Sequence, residues 1–226
     1  MLRSEAMSIG HDDGVLSADA VRRLYDRLAA VYDLVVAPYR VVGGYRLVDG
    51  AIPLLRLAPG DTVVDLGTGT GHALPALAAA VGSSGRVVAV DISSRMLGRA
   101  RARCARESLT NVEFIQADIA DFTLPDGTTA ALSAFAMEML PHYDTVIERL
   151  IEELPTGGRL AITGLRDPEG WPEWLVRIGS WLNRPFGVTD AYRSHRPWEA
   201  VDTHTVEADY TDVLGGAVYR STGTAP

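Results

Sequence analysis

Apolar residues recur along this chain with two periods, and the change from one to the other divides it. Leu24, Leu28, Val31 and Val35 fall at helical spacing. They predict a helix over 18–36, with Ser17 as its cap, Asp19 in its first turn and Pro38 beyond its end. Tyr25-Asp26 and Tyr32-Asp33 repeat seven residues apart beside that stripe, which puts both tyrosines near one face. A second helix is expected over 44–55, closed by Leu57-Ala58-Pro59-Gly60. From Asp61 onward short β-branched runs alternate with helical stretches. The strands are expected at 62–67, 86–91, 112–116, 129–135 and 158–163, and the helices at 73–82, 94–107 and 142–153. That alternation belongs to an α/β doubly wound fold, a parallel sheet covered on both faces. Right-handed crossovers then gather the carboxyl ends of the strands at the edge where ligands bind.

Beyond Gly164 the pattern changes. Trp171, Trp174, Trp181, Phe186, Tyr192 and Trp198 crowd one segment, and Trp174, Ile178, Trp181 and Leu182 share a helical stripe. These aromatics read either as a cover for one edge of the sheet or as a lid over a pocket. Residues 205–210 and 217–221, on either side of Gly215-Gly216, predict a closing β-hairpin.

Composition narrows the classes. A chain of 226 residues can bury one full core with elaborations, and 47% hydrophobic with 22% charged residues is ordinary for a globular protein in water. No apolar run approaches the roughly 18 residues of a membrane span. Residues 1–14 lack a signal-peptide core, so the cytoplasm is the expected location and stable membrane insertion is not expected. A net charge of -8 speaks against a nucleic-acid partner. Arg95, Arg99, Arg101, Arg103 and Arg106 lie on one helix, and a solvated face is favoured over a surface for an acidic partner. Cys104 is the single cysteine, which excludes an intrachain disulfide and a cysteine metal site; no metal centre is expected. All 21 basic residues are arginine, so lysine-based chemistry is absent. A homodimer is compatible with this composition.

Candidate chemistry centres on Asp65-Leu66-Gly67-Thr68-Gly69-Thr70-Gly71, a strand end that turns through three glycines into a helix. Glycines there let the backbone adopt positive φ while a ligand lies against it. A dinucleotide fingerprint needs glycine or alanine where His72 stands, so the nicotinamide reading is disfavoured. The segment resembles the first motif of class I S-adenosylmethionine-dependent methyltransferases. Val88-Ala89-Val90-Asp91-Ile92-Ser93 resembles their second motif, Gln116-Ala117-Asp118-Ile119 the third, and Pro155-Thr156-Gly157-Gly158-Arg159-Leu160 the lead into the fifth strand. Tyr25 to Asp33 is similar to the N-terminal helix of the small-molecule enzymes of the ubiquinone and menaquinone type.

The resemblance implies a Rossmann-like, mostly parallel seven-stranded sheet with an N-terminal helical cap. Its divisions are a flexible or disordered N-terminus (1–16) and one methyltransferase domain (17–226). The domain comprises the cap (17–58), a cofactor-binding core (61–164), an aromatic lid insertion (165–204) and the hairpin (205–226). S-adenosylmethionine is the implied cofactor. Asp65, Gly67, Thr68, Gly69 and Gly71 are its implied loop contacts, with Asp91 on the ribose, a role that its spacing of 20 residues after Gly71 suits. Ile92, Met96, Ala117, Asp118, Ile119 and Phe135 are expected to line the same pocket.

The implied activity is methyl transfer to a small, largely apolar or aromatic acceptor, in a setting such as secondary metabolism. Tyr25 and Tyr32 either meet the sulfonium or pack on the sheet. Glu138, between Met137 and Met139, either faces the pocket as a desolvated base or faces solvent at a helix start. His142 is a further candidate base, as are Tyr143 and His72. Two alternatives stay open at this point: a cyclising or eliminating enzyme on the same fold, and a cofactor-binding protein without turnover. Methylation of a lipid head group is a variant of the first reading.

Overall fold

Val63, Val64 and Leu66 of β1 (Thr62–Leu66) and Val87, Val88, Ala89 and Val90 of β2 (Arg86–Asp91) are all buried. Strands buried on both faces need neighbours on both edges and helices above and below. The computed structural model describes residues 17–30, 44–168, 170–174, 176, 177, 179 and 195–226. Its sheet has seven strands in the order β3-β2-β1-β4-β5-β7-β6. The others are β3 (Val112–Gln116), β4 (Thr128–Ala134), β5 (Arg159–Leu165), β6 (Val206–Val213) and β7 (Val218–Thr224). The first five run parallel, while β7 lies antiparallel to both β5 and β6. The strand order reverses between β1 and β4, and in such sheets the crevice at that switch is the ligand position.

Two helical layers close the faces. Helices among the described residues include α1 (Ala18–Leu28), α2 (Gly44–Asp49), α3 (Leu74–Val81), α4 (Ser94–Arg106), α5 (Tyr143–Glu153) and α6 (Pro197–His204). On one face Leu74, Leu77, Val81, Ala100 and Cys104 pack with Val63, Val87, Ala89 and Leu132. On the other, Ile147, Leu150, Ile151 and Val201 pack with Leu66, Val90, Ile162 and Tyr219.

The expected strands and helices of the core occur within a residue or two of their sequence positions. The helix expected over 44–55 is instead split into α2 and a 3-10 turn, Ile52–Leu55. Gly50 and Pro53 account for the break, since glycine weakens a helix interior and proline removes a helix N–H. Helix α6 had no periodic signal of its own. It starts on Pro197 and buries Ala200 and Val201. The described part of the helix expected over 18–36 ends at Leu28, and the expected N-terminal segment 1–16, residues 31–36 (Tyr32 among them), Trp181, Phe186 and Tyr192 lie outside the described residues.

The glycine loop meets α4 at Gly71, whose φ is +76°. A Cβ there would stand 2.8 Å from Leu74 Cδ1 and 2.9 Å from Ala100 Cβ. Gly71→Ala therefore combines a disfavoured backbone conformation with overpacking, and should lower stability by about 2–4 kcal/mol. A urea denaturation midpoint checks this.

Candidate functional site

Beyond β1 the chain turns through Gly67, Gly69 and Gly71, with φ of +76°, +54° and +76°. The N–H groups of Gly67 and Thr68 both donate to the Val90 carbonyl at 2.9 Å, which lashes the loop to the end of β2. A Cβ on Gly67 would collide with Ala136, whereas one on Gly69 would meet no atom of the described residues within 4 Å. Packing demands the first glycine; the second leaves backbone open beside a ligand.

Asp91 closes β2. Its Oδ2 accepts the Gly69 N–H and its Oδ1 the Ser93 N–H, each at 2.8 Å. A carboxylate has about four lone-pair sites, so each oxygen keeps capacity for another donor. Burial pushes its pKa up to about 6, against the pull of the two N–H groups and with a further push from the charge of Asp26. Asp65 is also raised to about 6, first by burial; the Thr68 hydroxyl, donating at 2.5 Å, opposes this and the Asp91 charge adds to it. Two desolvated carboxylates at one glycine loop make an acceptor-rich site suited to hydrogen-bond donors.

The third strand supplies the opposite wall. Ala117 N–H donates to the Asp91 carbonyl at 3.2 Å. Asp118 is half-buried and its Oδ1 accepts the Ala120 N–H at 3.0 Å. Ile119 Cδ1 lies 3.6 Å from the Cβ position of Gly67, and Ile92 is half-buried at the rim. Met96 is fully buried below, its N–H on the Ser93 hydroxyl oxygen at 3.1 Å.

Helix α1 crosses above. The Ser93 hydroxyl donates to Asp26 Oδ1 at 2.6 Å, and Tyr25 Oη donates to Met139 Sδ at 3.1 Å. The carbonyls at the end of a helix lack intrahelical partners. Here Arg95 donates to the Asp26 carbonyl at 3.2 Å, and Arg99 to those of Ala29 and Ala30. Arg103 Nε donates to the Thr70 carbonyl at 3.0 Å. Of the five arginines read as a solvated face, Arg101 and Arg106 are exposed, while Arg95, Arg99 and Arg103 fasten the cap and the glycine loop.

At the end of β4, Phe135 takes a φ of +57°, uncommon for a bulky residue, with its N–H donating to the Thr163 carbonyl at 2.7 Å. This turn lays Ala136 against Gly67. Glu138 follows and is buried, its Oε1 accepting the Tyr219 hydroxyl at 2.7 Å. The carboxylate occupies the space that a side chain on Gly164 would fill. Burial raises Glu138 to about 7, with the Tyr219 hydrogen bond working the other way; Tyr219 is raised well above its ordinary value, first by burial and then by Glu138. His195 Nδ1 lies 2.9 Å from the Glu138 carbonyl oxygen, and its ring is 4.9 Å from that of Tyr143. His142 is exposed ahead of α5 and makes no capping bond. His72 pairs with Asp49 at 3.3 Å.

The fold therefore brings Tyr25, Asp65, the three glycines, Thr68, Asp91, Ile119 and Phe135 to one edge, with Asp118 on its wall. Glu138 is turned into the β5–β7 seam, and His142 stands on the outer side of the turn. Asp26, Ser93, Gly164 and Tyr219 were not singled out from sequence. The Tyr-Asp repeat pointed toward Asp26, whereas nothing local marks Tyr219, 81 residues from Glu138.

Residues 63–158 match the family model of a methyltransferase domain. The chain is also 34% identical over 158 residues to a 2-phytyl-1,4-naphtoquinone methyltransferase of Synechococcus elongatus, 68% of this chain and 67% of that protein. The chain belongs to the class I S-adenosylmethionine-dependent methyltransferases. It is 32% identical over 164 residues to nocamycin O-methyltransferase of Saccharothrix syringae, 70% of this chain but 56% of that one. The chain thus spans little more than half of that methyltransferase. A SAM dependent methyltransferase from Aquifex aeolicus shares the fold, with a TM-score of 0.53 and 21% identity over 93% of this chain and 100% of that one. S-adenosylmethionine, the family's cofactor, brings hydroxyl and ammonium donors, which suit the acceptor-rich rim formed by Asp65 and Asp91.

Three buried acids, Asp65, Asp91 and Glu138, give the stability of this chain a pH signature. Asp65 and Asp91 are raised from 3.8 to about 6 and Glu138 from 4.5 to about 7, so each binds its proton more tightly folded than unfolded. Folding takes up protons in that window, and stability contributed by these groups falls as pH rises from about 4 to about 7. The urea midpoint of the ligand-free protein should drop over this range, and Glu138→Gln should flatten its upper part. A midpoint that climbs throughout would contradict the assignment.

Proposed function

We propose that this chain transfers a methyl group from S-adenosylmethionine to a small, largely apolar or aromatic acceptor. One observation carries the reading: the glycine loop, Asp65 and Asp91 share a sheet edge with a largely apolar lip of Phe135, Met139 and Tyr25. Relatives named for methylation of 2-phytyl-1,4-naphtoquinone and of nocamycin support a small-molecule acceptor. The net charge of -8 weighs against nucleic acid.

In this reading Asp91 accepts the ribose hydroxyls on the lone pairs that Gly69 and Ser93 leave. Asp118 receives the adenine amino group, with Ile92, Ala117 and Ile119 packing the ring. Asp65, oriented by Thr68, and the open backbone at Gly69 hold the amino-acid end. Met96 supports the floor and Phe135 closes the side toward β4. Bound there, S-adenosylmethionine supplies a methyl group already activated on a sulfonium sulfur.

What remains for the protein is alignment and exclusion of water. Tyr25, fixed on Met139, stands where α1 overhangs the lip, and its hydroxyl oxygen is suited to a sulfonium. Tyr32 belongs to the same helical pattern in sequence. Where the acceptor carries a proton, the two candidate bases read from sequence stand apart from the lip: the Glu138 carboxylate is turned into the β5–β7 seam against the Tyr219 hydroxyl and Gly164. His142 is open to solvent.

Incubation with methyl-labelled S-adenosylmethionine and a panel of naphthoquinols and phenols tests the reading. Label recovered in a product supports methyl transfer; turnover of an acceptor without label would sink it. Asp91→Asn should weaken S-adenosylhomocysteine binding at least about tenfold, a loss of about 1.4 kcal/mol. In the unmodified protein, affinity should rise with pH through about 6 as Asp91 ionises. Calorimetry should find that rise absent from the variant.

A further inference from the structure

A cavity of about 430 Å³ opens at the amino-terminal edge of the sheet, the edge opposite the glycine loop. Asp61, Thr129, Ala130 and Arg159 bring to it the starts of β1, β4 and β5, and Thr224 the end of β7. The volume lies within the ordinary range of small-molecule sites.

Arg159 is its fixed point. Its side chain is 9% exposed, with Nε donating to the Leu54 carbonyl at 2.7 Å and Nη1 to Thr224 Oγ1 at 2.9 Å. A second guanidinium, Arg56, stands across from it. The Glu207 carboxylate serves both, but at 3.6 Å from Arg56 and 3.8 Å from Arg159. Strong guanidinium–carboxylate bonds are about 2.7–2.9 Å, so each of these pairs is loose. Arg56 and Glu207 both hold a φ of +51°, a conformation that side chains rarely adopt and that clusters at ligand sites. Asp61 gives one oxygen to the Ala58 N–H at 2.7 Å and keeps the other for a donor.

We propose that this cavity is a second ligand site for a small hydroxy- or amino-carboxylic acid, whose carboxylate sits between Arg56 and Arg159 in the place that Glu207 now fills loosely. A free carboxylate can approach both guanidinium groups closely, as a side chain tethered to β6 does not. Asp61, Thr129 and Thr224 then receive its hydroxyl or amino group.

Arg56 and Glu207 are 69% and 65% exposed, so they can be changed without opening the core. Calorimetric titration of the whole protein with L-malate at constant ionic strength should show saturable binding. Arg56→Gln should weaken it at least about tenfold, and Glu207→Gln, which removes the resident competitor, should tighten it several-fold. S-adenosylhomocysteine affinity should stay the same in both variants. No saturable heat up to about 50 mM in either the unmodified protein or Glu207→Gln would overturn the site. So would unchanged malate binding in Arg56→Gln. Saturable binding of inorganic phosphate without binding of malate would overturn the carboxylic-acid assignment.

Discussion

One carboxylate holds the ligand edge of this protein together. Asp91 accepts N–H groups from Gly69 and from Ser93, and so ties the glycine loop to the start of α4. Ser93 extends the chain of bonds, accepting from Met96 N–H and donating to Asp26, which brings in α1. Loop, sheet, helix and cap therefore share a single buried acid. Neutralising Asp91 removes its charge from both N–H bonds, and burial already works toward that neutral form. A ligand that donates to Asp91 favours the ionised acid and strengthens the assembly it enters.

Backbone constraints set the shape around that acid. Gly67 must lack a side chain because Ala136 fills the space, and Ala136 is there because Phe135 turns the chain at positive φ. The loop after β4 is thus pressed onto the loop after β1 across the point where the strand order reverses. The arginines of α4 complete the frame from outside. Arg95 and Arg99 satisfy the end of α1, and Arg103 holds the glycine loop.

The sheet and the glycine loop were legible in the sequence because both are written locally. Buried strands read as continuous apolar runs, and a turn that needs positive φ reads as glycine. Asp91 was legible from its spacing to the loop. The split of the second helix was also written locally, in Gly50 and Pro53, yet the apolar pattern overrode it. The arginine stripe was visible, but its partners are backbone carbonyls, which carry no sequence signal. Glu138 shows the same limit. Its flanking methionines allowed a pocket-facing or a solvent-facing carboxylate, and what places it is a tyrosine 81 residues away with the room left by Gly164. The positive φ of Phe135 breaks the rule that such turns use glycine, so residue type concealed it.

A crystal structure of the protein bound to S-adenosylhomocysteine tests the central claim most directly. The ribose hydroxyls should lie on the Asp91 carboxylate, the adenine between Ile92 and Ile119, and the sulfur should face the lip formed by Tyr25, Phe135 and Met139. A ligand seated away from the glycine loop, or one whose sulfur faces closed protein with no room for an acceptor, would contradict it.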